Sequence, residues 1–204
     1  GDHRDLHSFP TRRSSDLQRS WNVPTSAGMS AVGVCFCQGS QCHGILWPVN
    51  NDDELKVLDI REEGYTRVLL RRDDIRKDGL AESVYADDEV MRPLTEDEIQ
   101  IWACVPDDPK PASSTYPVAQ TYVDTILRGC LSYSKDSATS FRSETAGWNE
   151  HWVDDRHEPI YSRGDPDYSR SKGAQLDRLI SDVFSEQEKY LSLEARRQYD
   201  RSPP

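Results

Sequence analysis

The segment "NNDDELKVLDIREEGY", residues 50–65, predicts a short helix that carries a carboxylate where its apolar side should be. Asn50 or Asn51 can cap its first turn, and the three acidic residues at 52–54 suit the positive end of the helix dipole. Gly64 can end the helix in the left-handed conformation. We therefore expect a helix that begins after the asparagines and ends before Gly64.

Glu62 lies almost at the centre of the apolar stripe of this helix. At about 100° per residue, it stands one turn beyond Leu58, in line with Leu55. A carboxylate that points at a core is costly unless it is paired, and such an environment suits a group that must take up and return a proton. In the alternative, the helix frays and Glu62 pairs with Arg61 or Arg67 near solvent. The pattern leaves both open.

Short β-rich runs flank the helix on both sides. "SAVGVCFCQ" and "HGILWPV", separated by the turn signal "GSQC", predict a hairpin over roughly 30–38 and 43–49. "YTRVLL", 65–70, and "IQIWACV", 99–105, predict two further strands. Residues 71–96 give no firm prediction beyond a loop. These elements are compatible with the α+β fold class that we expect for this chain.

The second half of the chain is predicted to be mainly helical. "PVAQTYVDTILRGCL" begins with proline and has apolar residues at helical spacing, and "SATSFRSETAGW" predicts a second helix. "NEHWVDDRHEPIYSRGDPDYSR" is expected to be a loop. An amphipathic helix is expected over 174–193. We accordingly expect a domain over 18–170, followed by a C-terminal helix and a disordered tail over 171–204.

Two groups of charged residues in this half have a less specific pattern. Asp124 and Arg128 stand four residues apart on the predicted helix and are expected to form a surface ion pair. The residues Asp154–Glu158 crowd one loop near two tryptophans. They could form a wall of a pocket or a site for a metal ion, but a solvated loop held by tryptophan packing is the expected structure.

Composition and charge limit the kinds of partner that the chain can bind. Thirty-six acidic residues against 25 basic ones give a net charge of −11, which argues against nucleic acid or an anionic membrane as partner. No apolar run reaches the ~18 residues of a membrane span, so a cytoplasmic protein is expected. The five cysteines are expected to be reduced thiols. "CFCQGSQCH" lacks the second ligand pair of a zinc site, so no metal is expected.

The first residues are expected to be foreign to the protein. "HSFPTRRSSDL", residues 7–17, is the translation of a DNA sequence that resembles a common short-read sequencing adapter. We therefore exclude residues 1–17 from the fold. The natural beginning of the chain, and with it any organellar targeting peptide, is expected to be missing.

The segment "GILWPVNNDDELKVLDIREEGYTRVLL" resembles the γ-glutamylcyclotransferase-like superfamily, which includes the ChaC-like enzymes. The shared pattern is a strand at Gly44, a helix with a glutamate four residues after Leu58, and a Gly-Tyr pair followed by a strand that holds an arginine. "QTYVDTILRGCL" and "TAGWNEHWVDDRHEPIYSR" also resemble a branch of that superfamily. The resemblance covers roughly residues 20–165 and implies a small barrel-like mixed β-sheet with packed helices.

The resemblance implies an activity and a set of site residues. Glu62, rather than Glu63, maps to the acid/base that closes a γ-glutamyl substrate into 5-oxoproline and releases an amine. Gly64, Tyr65 and Arg67 are the implied substrate-binding residues. The implied partner is a small γ-glutamyl peptide or amine, and the intramolecular reaction needs neither a metal nor an organic cofactor.

One part of the superfamily pattern is not found before the helix. Members begin with a strand and a [Y/F]-G-S turn whose backbone N–H groups hold the substrate, whereas Gln38-Gly39-Ser40 comes too late in the order. We expect this chain to have lost that turn, with a core strand, at the adapter junction, and to be inactive and poorly stable. Two alternatives stay open: a non-catalytic binding module on the same fold, and a γ-glutamyl hydrolase or transferase that uses the same glutamate.

Overall fold

The computed structural model describes five stretches of the chain: residues 16–45, 47–49, 51–70, 100–148 and 151–180. The strands in them are β1 Leu17–Pro24, β2 Ser30–Phe36, β3 Tyr65–Leu70, β4 Ile101–Pro106, β5 Val118–Ala119, β6 Thr145–Ala146 and β7 Trp152–Val153. The helices are α1 Asp52–Arg61, α2 Gln120–Tyr133, α3 Lys135–Glu144 and α4 Pro166–Leu179. The described chain is therefore a mixed α+β structure, as the sequence predicts.

A five-stranded mixed sheet organises the fold, in the order β6-β1-β2-β5-β7. β1 and β2 form an antiparallel hairpin, and β6, β5 and β7 each run parallel to their neighbours. β3 and β4 pair separately as an antiparallel ribbon. In the described stretches these strands do not close into a barrel, which corrects the barrel-like expectation. Closure requires edge strands that pair along their length, and the edge strands β6 and β7 are two residues long.

An aromatic cluster around Trp21 forms the centre of the core. Trp21, on β1, is fully buried. The rings of Tyr122, Phe141 and Trp148 meet it edge-on, with centroids 5.9, 6.3 and 5.0 Å away. Such edge-to-face contacts stabilise a pair beyond the area that it buries. The cluster therefore fixes α2 and α3 against the sheet.

The predicted hairpin over 30–38 and 43–49 is half wrong. The first strand exists as β2, but it pairs with β1 across the turn at Thr25–Met29. Residues 43–45 and 47–49 form no strand, and the Trp47 side chain is 83% exposed. Pro48 offers no N–H to a ladder, whereas β1 supplies a full set of backbone partners.

The described fold begins inside the adapter-like segment. Leu17, assigned to that segment from the sequence, is buried in β1 and pairs with Phe36. The carbonyl of Asp16 accepts a hydrogen bond from the Cys37 amide at 2.6 Å. Residues 1–15 lie outside the described stretches. The last residues of the segment thus complete the first strand.

α4 begins eight residues earlier than the sequence indicates. Asp165 caps it by accepting from the Tyr168 amide, and Pro166 opens its first turn. The loop predicted over this region therefore ends before α4, and the domain boundary expected at residue 170 falls inside the helix. Leu176 is fully buried in the same core as Trp21. The continuation of the predicted helix to residue 193 lies outside the described residues.

Candidate functional site

α1 and the turn after it position Glu62. The Asn51 side chain accepts hydrogen bonds from the amides of Asp53 and Glu54 at 3.1 and 2.9 Å, which confirms the predicted cap. Glu62 itself caps the other end, where its amide donates to Leu58 O at 2.8 Å. Gly64 follows with φ +88°, in the left-handed region that the sequence predicts. The chain then enters β3 directly, so the glutamate sits at a fixed helix-to-strand turn.

The Glu62 carboxylate is half-buried rather than enclosed in a core. Its side chain is 26% exposed, and Oε1 lies 3.4 Å from Arg61 Nε. None of the α1 residues is fully buried. Of the two possibilities that the sequence leaves open, the structure shows the pairing of Glu62 with Arg61 near solvent, although the helix keeps its last hydrogen bond and does not fray. The helical wheel identified the least polar side of α1 but could not show that this side is only half covered.

Tyr65 and Cys104 lie within electrostatic range of Glu62. Tyr65 opens β3, and Cys104 on β4 pairs with Arg67 across the ribbon, so these side chains share one face. Burial raises the pKa of Tyr65, and the negative charge of Glu62 raises it further. The same two causes, in the same order, raise the pKa of the Cys104 thiol. The Glu62 carboxylate thus acts electrostatically on both groups, and both are protonated at neutral pH.

Arg67 is held by an acid and an aromatic ring. Its Nε lies 3.0 Å from Asp59 Oδ1 on α1, and its guanidinium carbon lies 5.5 Å from the centre of the Trp102 ring. The Arg67 side chain is 30% exposed. The positive charge of Arg67 opposes the rise in the pKa of the Cys104 thiol that burial and Glu62 cause, and offsets only part of it. Arg67 and Glu62 therefore act on the same thiol with opposite sign.

Tyr65 also lies within electrostatic range of Tyr122, which packs against the core. Burial raises the pKa of Tyr122 on α2, a hydrogen bond with the Val32 backbone opposes this, and Tyr161 and Tyr65 add to the rise. The rings of Tyr122 and Tyr161 lie 4.8 Å apart. On the ribbon, Tyr65 pairs with Pro106. The structure therefore brings Glu62, Gly64, Tyr65 and Arg67, the site residues predicted from the sequence, to one end of the ribbon.

A second cluster of charges, around Arg156, was not predicted. The Arg156 Nε and Nη2 atoms donate to the two Asp124 oxygens at 2.8 and 2.9 Å, and Nη2 also donates to Asp177 Oδ1 at 2.7 Å. Asp124 is fully buried and the Arg156 side chain is 10% exposed. Burial alone would lower the pKa of Arg156, but the hydrogen bonds to the two aspartates raise it. The cluster joins α2 to α4.

Asp155 completes this internal network by capping α2. The helix begins after Ala119, which has no capping side chain. Asp155 instead accepts from the Thr121 amide at 2.8 Å, the Thr121 hydroxyl at 2.6 Å and the Ile160 amide at 2.8 Å. A carboxylate at this end of a helix satisfies free N–H groups and suits the helix dipole.

Two expectations about these residues are wrong. Asp124 does not pair with Arg128, which lies at the surface and donates to Asp165 at 2.8 Å. Asp155 and Arg156 are buried, so the loop that holds them is not simply solvated. The same wheel argument, applied to α2, places Asp124 beside Gln120 and Leu127 on the buried side, which is the signal that was missed.

The described residues give further findings on metals and membranes. Among them, no three His, Cys, Asp or Glu side chains come together as metal ligands could. All five cysteines are free thiols. A search of the described helices finds none with the length and apolar character of a membrane span.

The chain matches no protein-family model, no curated protein and no solved structure.

Proposed function

We propose that this protein is a γ-glutamylcyclotransferase of the γ-glutamylcyclotransferase-like superfamily, with Glu62 as its acid/base. The observation that carries the proposal is the half-buried Glu62 carboxylate at the α1–β3 turn, within electrostatic range of Tyr65 and Cys104. The turn is fixed by backbone hydrogen bonds on both sides of Glu62, and a group that moves protons must be held in position.

The reaction needs one group that first accepts and then returns a proton. Glu62 removes a proton from the α-amino group of a γ-glutamyl substrate. The amine nitrogen then attacks the γ-carbonyl carbon, a C–N bond closes the five-membered ring, and the bond to the departing amine breaks. Glu62 returns its proton to that amine. The products are 5-oxoproline and a free amine, and no metal or organic cofactor takes part.

The other proposed site residues follow Glu62 directly in the chain, in the turn and the start of β3. Tyr65 keeps its proton because burial and Glu62 raise its pKa, so it can donate a hydrogen bond to the substrate or to Glu62. A side chain placed at Gly64 would meet no atom within 4 Å. The turn beside Glu62 therefore faces open space through which a small substrate can approach. Arg67 supplies the positive charge at this end of the ribbon.

The test begins at the gene. The locus is amplified across the codons for residues 7–17, and the upstream codons are read. The chain with these codons, and the 204-residue chain, are then incubated with γ-glutamyl-alanine, and released 5-oxoproline is measured. We expect release by the chain that carries a [Y/F]-G-S turn, and a loss of about 10²- to 10⁴-fold in kcat/KM for Glu62→Gln.

Glu63→Gln is the matched control, because it removes an adjacent carboxylate from the same turn. It should keep the parent's kcat/KM. Equal activity of the parent and Glu62→Gln would contradict the assignment of Glu62. Release of glutamate without 5-oxoproline would indicate the hydrolase instead. If the junction is genuine and no such turn precedes Trp21, the enzyme hypothesis fails and the binding-module hypothesis leads.

A further inference from the structure

The Arg19, His43 and Glu144 side chains form a charged cluster at the β6 edge of the sheet, which we call the His43 clasp. Arg19, on β1, pairs with the first residue of β6, and Glu144 is the last residue of α3. The His43 Nδ1 and Glu144 Oε1 atoms lie 2.6 Å apart, and the His43 amide donates to Glu144 Oε2 at 3.0 Å. Arg19 Nη2 donates to the His43 carbonyl at 3.0 Å and lies 3.5 Å from Glu144 Oε2. His43 is therefore held by its ring and by both polar groups of its backbone.

Arg19 and Glu144 are mostly buried, whereas His43 is the member of the clasp that water reaches. The Arg19 guanidinium carbon lies 5.0 Å from the centre of the ring of Phe141, a residue of the buried core. The side chains of Arg19 and Glu144 are 15% and 17% exposed, against 39% for His43. Two fixed and opposite charges thus contact a residue whose imidazole can exchange protons with solvent.

His43 begins a segment that has no strand pairing of its own. Residues 43–45 and 47–49 form no strand and lie between β2 and Asn51, the cap of α1. Ile45 and Trp47 in this segment are 58% and 83% exposed, so burial of their side chains contributes little to holding it. The contacts of His43 attach the start of this segment to the sheet.

We propose that the His43 clasp is a pH-sensitive fastening of this segment, which tightens when the imidazole takes up a proton. A neutral imidazole donates an ordinary hydrogen bond from Nδ1 to the carboxylate, whereas an imidazolium forms a charge-assisted ion pair, which is stronger. Folding then increases the proton affinity of His43. The added stability is complete below about pH 6.5, where the unfolded chain is also protonated, and is lost at higher pH as the folded imidazole releases its proton. The proposed reaction of Glu62 uses none of the three clasp residues.

The charges that face His43 oppose one another, and the nearer one decides. Glu144 favours the imidazolium through the 2.6 Å contact, and its place at the C-terminal end of α3 adds the negative end of the helix dipole. Arg19 disfavours the imidazolium, but its hydrogen bond goes to the His43 carbonyl rather than to the ring. The other titratable groups described around the clasp are thiols, and burial raises the pKa of each, so they stay neutral: Cys35, Cys42 and Cys130.

The thiol of Cys42, next to His43 in the chain, reports whether the segment is fastened. The folded 204-residue chain and the same chain in urea are labelled with methyl methanethiosulfonate at about pH 5 and about pH 7.5, and the labelled Cys42 peptide is quantified by mass spectrometry. The ratio of the labelling rates in urea and in the folded chain is the protection of Cys42. We expect this protection to be about 3- to 10-fold greater at the lower pH, as a charge-assisted bond to a part-exposed imidazole implies.

Two variants remove the pH dependence in different ways. His43→Gln keeps a side chain that forms hydrogen bonds but takes up no proton, and Glu144→Gln keeps the shape of the acceptor without its charge. Both should give the same protection at the two pH values. His157→Gln is the matched control, because it removes another imidazole, and it should keep the pH dependence of the parent. Equal protection at the two pH values in the parent, or a pH dependence that survives His43→Gln, overturns the proposal.

A second measurement needs no variant and so decides the matter even where a substitution prevents folding. The imidazole of His43 is titrated by nuclear magnetic resonance in the folded chain and in urea. We expect His43 to release its proton at a higher pH in the folded chain, because the contact with Glu144 exists only there. Release at the same pH or at a lower pH in the folded chain overturns the proposal.

Discussion

The chain holds two clusters of charged side chains, around Arg156 and around Glu62, and they differ in how much water reaches them. Arg156 is enclosed between α2 and α4, and its donors are divided between Asp124 and Asp177. Glu62 and Arg67 are each about a quarter to a third exposed, and each has one ion-pair partner among the described residues. A buried cluster must satisfy its groups internally, because no water is available to do so. A half-exposed cluster can leave donors for a ligand.

Removing Arg156 should produce the largest effect on stability. Arg156→Met leaves Asp124 buried without its cation, and breaking a buried pair in this way costs about 3–5 kcal/mol. Urea unfolding, followed by circular dichroism, measures the change. Arg128→Met is the matched control, because Arg128 lies on the helix that holds Asp124, and loss of its surface pair with Asp165 should leave the unfolding free energy nearly unchanged. An equal loss of unfolding free energy in the two variants would mean that the buried Arg156 pair contributes no more to stability than a surface pair.

Truncation of an apolar side chain should also cost more stability in the core around α2 than on α1. Leu127→Ala removes a fully buried side chain from the core and should cost about 2–5 kcal/mol. Val57→Ala removes a side chain of α1 that is 67% exposed and should change stability by no more than about 0.5 kcal/mol. A large loss for Val57→Ala, in the same urea assay, would show that α1 is covered in solution by a part of the chain outside the described stretches.

The smallest predicted effect concerns the coupling of Glu62 to Tyr65. Burial and then the charge of Glu62 raise the pKa of Tyr65 above its ordinary value of 10.0. The folded chain therefore keeps this proton to higher pH than the unfolded chain, and the free energy of unfolding falls as pH rises above about 10. Glu62→Gln should lower the pKa of Tyr65 but not restore the ordinary value, because burial remains.

Alkaline absorbance titration measures this coupling, with Tyr65→Phe subtracted to isolate one phenol. Glu63→Gln should leave the titration of Tyr65 unchanged. An unchanged titration in Glu62→Gln would place the Glu62 carboxylate away from Tyr65 in solution and would remove the observation on which the proposed site depends.

Local sequence signals predicted the Glu62 region well. The cap at Asn51, the left-handed Gly64 and the strand from Tyr65 depend on neighbours in the chain, and each is found. The strand predicted over 43–49 is not found. Its predicted partner, β2, pairs with β1 instead, and the sequence around 43–49 could not show this competition. The sequence left the burial of Glu62 open, since a helical wheel shows which residues share a side but not what covers that side.

The sequence by itself determined the α+β class, the bounds of the α1–β3 turn and the residues gathered there, because capping, left-handed glycine and strand propensity act over a few residues. Only the tertiary structure decided which charges are internal. Asp124, Arg156 and Asp177 are 21 to 53 residues apart and meet because α2, α4 and the loop before α4 pack together. Nothing local to any one of them specifies its partners.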